Sequence, residues 1–177
     1  MSLEALVRAR LKHLDIEAIR EGDVDVFVVK PHELFVLASF LKKDRDAGCD
    51  HFVDLCVVER APRLWLVVQL VAKALRQRVQ LRAVLDDDDP SFPTLTRLWP
   101  HAWTAEREAW ELFGATALGH PSLRRMLVPE GFAGHPGLAR YKLKKSQPQV
   151  RPAEAPARVV VDGDGADVPD VPKGGAP

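Results

Sequence analysis

The stretch from Trp103 to Tyr141, WTAEREAWELFGATALGHPSLRRMLVPEGFAGHPGLARY, constrains the fold more than any other part of the chain. It joins one short, heavily charged helical pattern to two Gly-His-Pro turns with a pair of arginines between them. Thr104 is a favourable N-cap, Glu106 and Glu108 put negative charge in a first turn where the helix dipole favours it, and Gly114 allows a left-handed stop. The pattern predicts a helix of about three turns. Ala109, Trp110, Leu112 and Phe113 form its apolar side, and Glu106, Arg107, Glu108 and Glu111 form a charged arc. That arc is compatible with a solvated face and with a set of specific contacts. Beyond Gly114 the helical spacing stops. In Gly119-His120-Pro121 and Gly134-His135-Pro136 the proline disfavours helix for the residue before it, so the chain is expected to run extended and turn-rich.

Upstream, Leu3, Leu6, Val7, Leu11 and Leu14 recur at helical spacing with Arg8, Arg10 and Lys12 between them, which predicts an amphipathic helix. Gly22-Asp23 turns the chain into a β-branched strand, Val24 to Val29, with residues 16–20 as its hairpin partner. Pro31 opens a second helix whose Leu34, Leu37, Ala38 and Leu41 share a face and whose C-terminal stop is read as Gly48. Three strands follow, residues 52–59, 64–71 and 79–85, separated by Ala61-Pro62 and by a polar turn from Lys73 to Gln77. The apolar run from Val67 to Leu75 fits a helix equally well. Helix, two strands, helix, three strands predicts an α+β fold with helices layered on one face of a mixed sheet. Residues 1–115 are read as this domain, 116–150 as an extended segment and 151–177 as a disordered tail rich in Pro, Ala, Gly and Asp.

With 177 residues, 46% of them hydrophobic, the chain suffices for one core, in which about 145 residues could bury roughly 70% of their unfolded surface. Its formal net charge is zero, which gives no overall bias toward nucleic acid or an anionic membrane. Locally the balance differs. From His120 to Arg151, Arg124, Arg125, Arg140, Lys142, Lys144, Lys145 and Arg151 face Glu130 alone, which suits a partner with an acidic surface. No apolar run has the length of a bilayer span and the N-terminus lacks a signal-peptide core, so the protein is expected to be soluble and to stay where it is made. Cys49 and Cys56 form neither a zinc nor an iron–sulfur ligand pattern and are expected to be reduced and buried.

The chemistry-bearing residues exclude more than they assign. His120 or His135 as base or metal ligand with Glu106, Glu108 or Glu111 lacks a partner at ligand spacing, and histidines beside proline in turns ordinarily hydrogen-bond the backbone. Gly114, Gly119, Gly131 and Gly134 do not build a strand–turn–helix phosphate site, so no nicotinamide or flavin site is expected. Asp86 to Asp89 reads as a solvated loop, because consecutive carboxylates rarely converge on one ion. Asp162 to Asp167 departs from a calcium loop in its glycine position and in Lys173 at the twelfth position. Arg124-Arg125 and Lys142 to Lys145 lack the aromatic interleaving of a nucleic-acid surface.

AEREAWELFG followed by GHPSLRRMLVPEGFAGHP, with the lead-in LWPHAW, strongly resembles the signature region of the thirty-kilodalton subunit of respiratory NADH:quinone oxidoreductase (complex I), called the C subunit in bacteria. The specific element is the order of charged helix, glycine stop, first Gly-His-Pro, Arg-Arg, Pro-acid and second Gly-His-Pro. The resemblance covers roughly residues 90–137 and extends weakly back to Val24. It departs at its end, where Gly137 to Lys142 replaces a Leu-Arg-Lys-Asp-Tyr-Pro-like run. The resemblance implies a subunit without catalytic residues or a bound cofactor, in the hydrophilic arm of a bacterial proton-translocating complex. It implies packing against the forty-nine-kilodalton subunit (the D subunit) that helps form the quinone cavity, on the cytoplasmic side of the bacterial inner membrane. FMN, iron–sulfur clusters and quinone would belong to the complex. The alternative is the equivalent subunit of a membrane-bound energy-converting hydrogenase or another quinone-linked dehydrogenase. By matching positions, the resemblance implies docking through Glu106, Arg107, Glu108, Glu111, Gly119, His120, Pro121, Arg124, Arg125 and Pro129. Arginine forks pair bidentately with carboxylates, and Gly-Pro turns lower the ordering cost of an extended segment.

Overall fold

The structure is a computed structural model that describes residues 2–73 and 75–142, with the short stretches 160–161 and 167–168. Helix α1, Leu3–Arg10, starts where the Ser2 hydroxyl accepts the Ala5 amide at 3.3 Å, and it buries Leu3, Leu6 and Val7. Strands β1, Glu17–Glu21, and β2, Val24–Val29, form the expected antiparallel hairpin. A single 3-10 turn at Pro31–Glu33 feeds α2, Leu34–Lys43, which buries Leu34, Leu37, Ala38 and Leu41. This helix stops before Gly48. The Asp44 carboxylate accepts the amides of Asp46 and Ala47 at 2.9 and 3.2 Å, a local turn that competes with further helix, and Gly48 (φ +55°) serves the bend that follows.

Strands β3, His51–Arg60, β4, Arg63–Ala72, and β5, Gln77–Val84, complete a five-stranded sheet in the order β1-β2-β5-β4-β3. Only β2 and β5 pair in parallel; the other neighbours are antiparallel, so the sheet is mixed. The ambiguous run after Val67 is strand as far as Ala72. Leu64, Leu66, Val68, Leu70 and Ala72 are buried and alternate with half-exposed Trp65, Val67, Gln69 and Val71, the period of a pleated strand. Phe27, Leu81, Val68 and Leu55 lie across four strands in one register and join the buried residues of α1 and α2 in a single core. Replacing any of them with alanine would cost about 2–5 kcal/mol through the cavity left behind.

The same alternation separates the cysteines. Cys49 is buried and its thiol is pushed up to about 12 by burial, with Asp50 and Asp25 adding to the effect. Cys56, expected to be buried, is exposed, because it shares the outer sheet face with its register partner Val67.

After the exposed loop Asp86–Asp89, a three-residue strand β6, Ser91–Pro93, leads to helix α3, Ala102–Phe113, and to β7, Thr116–Leu118, which pairs with β6 in parallel. Residues 1–145 make up one compact unit that includes the chain after α3. Farther on, β8, Val160–Val161, pairs antiparallel with β9, Asp167–Val168. The disorder expected beyond Arg151 and most of the calcium-like fragment lie outside the described residues. Among the described residues no helix is long and apolar enough to cross a membrane.

Candidate docking site

The lead-in to α3 is tied to the main sheet before the helix begins. Trp99 donates its indole N–H to the Asp50 carbonyl at 3.1 Å and packs against Phe52, while Lys42 donates to the Leu98 carbonyl and lies over the Trp99 ring. Successive turns then run into the helix without a break: Trp99 N–H donates to Leu95 O at 2.9 Å, Ala102 to Trp99 at 3.0 Å and Trp103 to Pro100 at 3.1 Å. Thr104 is therefore inside α3 rather than its N-cap, and Glu106 and Glu108 fall beyond the first turn. Gly114 ends the helix at φ +79° as expected.

Half of the charged arc turns inward. Glu106 and Glu111 are both 0% exposed, although they lie on a helix whose spacing admits a solvated face. The Glu106 carboxylate accepts the Leu95 amide and the Thr94 hydroxyl, both at 2.6 Å. Burial raises its pKa, and these two hydrogen bonds only partly oppose the rise.

Glu111 faces the other side of α3, where its two oxygens accept the amides of Met126, Leu127 and Val128 at 3.0, 3.0 and 2.6 Å. Burial would raise this carboxyl too, but the three amides, helped by Arg125, hold it below its ordinary value. Arg107, one turn earlier, donates to the carbonyls of Arg124 at 2.9 Å and Arg125 at 3.1 Å. Two side chains of one helix thus bind the backbone of residues 124–128 without using any of their side chains.

The arginine pair divides. Arg125 folds back, its guanidinium 5.7 Å from the Trp110 ring centroid and 5.9 Å from that of Phe132, with an N–H donated to Gly134 O at 3.4 Å. Its other terminal nitrogen is buried without a partner. Arg124 is exposed, as are Glu108, Gly119, Pro121 and Pro129.

Both histidines bond the backbone. His120 Nδ1 accepts the Ser122 amide at 3.0 Å, so the proton is on Nε2, which donates to Trp103 O at 3.1 Å. The ring packs 4.8 Å from that of Trp103, and burial, with Arg107 nearby, lowers its pKa despite the Trp103 carbonyl. His135 Nδ1 donates to Glu111 O at 3.1 Å, and its ring fills the space over Gly114, where a Cβ would come within 3.1 Å of it. Gly137 N–H donates to Leu112 O at 2.8 Å, which pins the chain against the end of α3. Among the described residues, no three or more His, Cys, Asp or Glu side chains are grouped to hold a metal.

The Thr94–Leu95 seat of Glu106 and the Trp110–Phe132 enclosure of Arg125 are not foreshadowed by any motif of the sequence. The i, i+4 spacing of Arg107 and Glu111 is the one available signal, since it places both on one side of α3. It does not show that their partners are backbone groups.

Residues 27–147, which contain every group of this site, match the family described as the respiratory-chain NADH dehydrogenase 30 kDa subunit. The chain belongs to this family. The NADH-quinone oxidoreductase C subunit of Roseiflexus sp. (strain RS-1) is 39% identical over 118 residues, covering 65% of this chain and 67% of that relative. The corresponding C subunit of Burkholderia mallei (strain SAVP1) is 37% identical over 145 residues, covering 76% and 70%. A solved trypsin-resistant fragment of Nqo5 aligns with a TM-score of 0.55 at 27% identity over 68% of this chain and 97% of the fragment. A chain of an archaeal membrane-bound sulfane sulfur reductase shares the fold, with a TM-score of 0.59 at 19% identity over 71% and 75% of the two chains. Membership of the family makes the chain similar to subunits of an enzyme complex, and other subunits of such a complex are the partners that this implies.

Proposed function

We propose that this chain is a non-redox docking subunit in the hydrophilic arm of a bacterial proton-translocating NADH:quinone oxidoreductase, packing against the forty-nine-kilodalton quinone-site subunit. It sits peripherally on the cytoplasmic side through that complex, and FMN, iron–sulfur clusters and quinone are held by other subunits. The observation that carries this reading is the main-chain clamp on residues 124–128, with Arg107 and Glu111 both spent on ordering a peptide segment. Such a device lowers the entropy lost on association. Arg124, Glu108, Gly119, Pro121 and Pro129 are the exposed members of the docking set; Glu106, Arg107, Glu111, His120 and Arg125 hold them in place.

The test is purification of the tagged chain from its native membranes. Co-purification with flavin- and NADH-binding subunits and direct cross-links to the quinone-site subunit are expected. Co-purification with a nickel-ligating large subunit instead would assign the chain to a hydrogenase, and recovery of the chain alone would sink the docking reading.

A further inference from the structure

The clamp holds the carbonyls of residues 124 and 125 and the amides of 126–128 on α3 and leaves the side chains of Arg124, Met126 and Leu127 exposed. Leu127 is 57% exposed and Met126 39%, two adjacent large apolar side chains whose amides are both fixed by the buried Glu111 carboxylate. Arg124 beside them is exposed as well. Large side chains on a disordered loop can fold back on themselves in water, but these are carried on an ordered backbone and remain presented, the condition for an anchor that loses little entropy on burial. The surroundings are one-sided in charge. Among described residues 120–142, the exposed Arg124, Arg140 and Lys142 face Glu130 alone. Arg125 adds a positive charge that is already committed to Trp110, Phe132 and Gly134.

We propose that Met126 and Leu127 form a preordered apolar anchor that inserts into an apolar pocket with a carboxylate-lined rim on a neighbouring subunit of the complex. The inference rests on the docking reading and deepens it: apolar insertion supplies the affinity, while Arg124 selects the acidic rim. A purely ionic contact would have no use for two exposed apolar side chains at the point where the backbone is gripped hardest.

Two measurements test it on the assembled complex. A photoreactive leucine analogue at position 127, conservative enough to leave folding intact, is expected to capture one subunit through a peptide whose apolar residues are flanked by Asp or Glu. The double variant Met126→Ser, Leu127→Ser is expected to melt like the parent yet be recovered in the complex at about one tenth of its level or less. Undiminished recovery of the variant, or capture only of a basic segment, would overturn the anchor. Failure of the wild-type chain to enter any complex overturns the docking reading itself. If the wild type and the double variant both assemble and only Arg124→Glu fails, docking stands, and a charge pair replaces the apolar anchor.

Discussion

Arg107 and Glu111, one helical turn apart, hold a single peptide segment by complementary groups: Arg107 donates to the carbonyls of residues 124 and 125, and Glu111 accepts the amides of 126, 127 and 128. An opposite-charge pair at this spacing ordinarily pairs with itself on a helix surface and contributes a few tenths of a kcal/mol. Here each member bonds main-chain groups instead, and a segment with no strand or helix partner has five of its peptide N–H and C=O groups satisfied by one helix.

The two buried glutamates should respond unequally to amidation. Glu111→Gln replaces one acceptor oxygen with an NH2 group that meets backbone N–H donors, leaving buried donors unpaired at about 2–4 kcal/mol. Glu106→Gln keeps one oxygen for the Leu95 amide and offers its NH2 to the Thr94 hydroxyl oxygen, so it should cost under about 1 kcal/mol at neutral pH. Chemical denaturation of both variants checks this. Equal losses would mean that the partners of Glu106 and Glu111 are not distinguished by donor and acceptor character.

Their pH dependences differ in sign as well. Glu111 is held below 4.5, so its contribution is present above that value and is lost as pH falls through its folded pKa. Glu106 is raised above 4.5, so its contribution is present below that value and is lost as pH rises through its folded pKa. His120, lowered from 6.5, stabilises the fold above that pH and less as pH falls through its folded pKa, where a proton on Nδ1 would displace the Ser122 amide. Stability of Glu106→Gln relative to the parent should therefore improve from pH 4.5 upward. A difference that is flat with pH would show that Glu106 titrates alike in the folded and unfolded chains.

How much of this was legible depends on whether a partner is a side chain or a backbone group. Strand β4 and the core row Phe27, Leu81, Val68 and Leu55 follow from alternation and β-branching, which side chains encode locally. The three-residue strands β6 and β7 are too short to carry a period. The misplaced N-cap at Thr104 has a similar cause, because turns from Leu95 onward supply the helix start through carbonyls that any residue carries. Glu106 and Glu111 look solvated in sequence because their partners are mostly amides more than ten residues away. The loss of helix beyond Gly114 was legible from the two Gly-His-Pro turns, but not the division of labour between Arg124 and Arg125.

Arg124 and Arg125 should separate in experiment. Removing Arg125 takes away two ring contacts and the hydrogen bond to Gly134, so Arg125→Ala should lower the stability of the isolated chain by about 1–2 kcal/mol. Arg124→Ala removes an exposed side chain whose carbonyl, not its guanidinium, is used by Arg107, and should change stability by less than about 0.5 kcal/mol. Thermal melts of the isolated variants decide between them. Arg125→Ala melting like the parent would return Arg125 to the surface as a simple docking charge.

Gly137 should be the most demanding glycine of the segment after α3, for steric rather than conformational reasons. A Cβ there would lie 2.9 Å from the Leu112 carbonyl oxygen and 3.0 Å from the Phe113 ring, and a backbone oxygen at a helix end cannot move aside cheaply. Gly137→Ala must push the chain off α3 and lengthen its hydrogen bond to Leu112, an overpacking penalty of about 1–3 kcal/mol. Gly131 is the contrasting case: a Cβ meets nothing within 4 Å, but φ is +83°, so alanine there meets only backbone strain of about 1 kcal/mol. Hydrogen exchange distinguishes the two, since only Gly137→Ala should expose the amide of residue 137 and, by loosening the chain beside His135, speed exchange at Met126 to Val128. Protection of those amides unchanged in Gly137→Ala would show that the Glu111 clamp holds residues 124–128 without help from the chain packed beneath the end of α3.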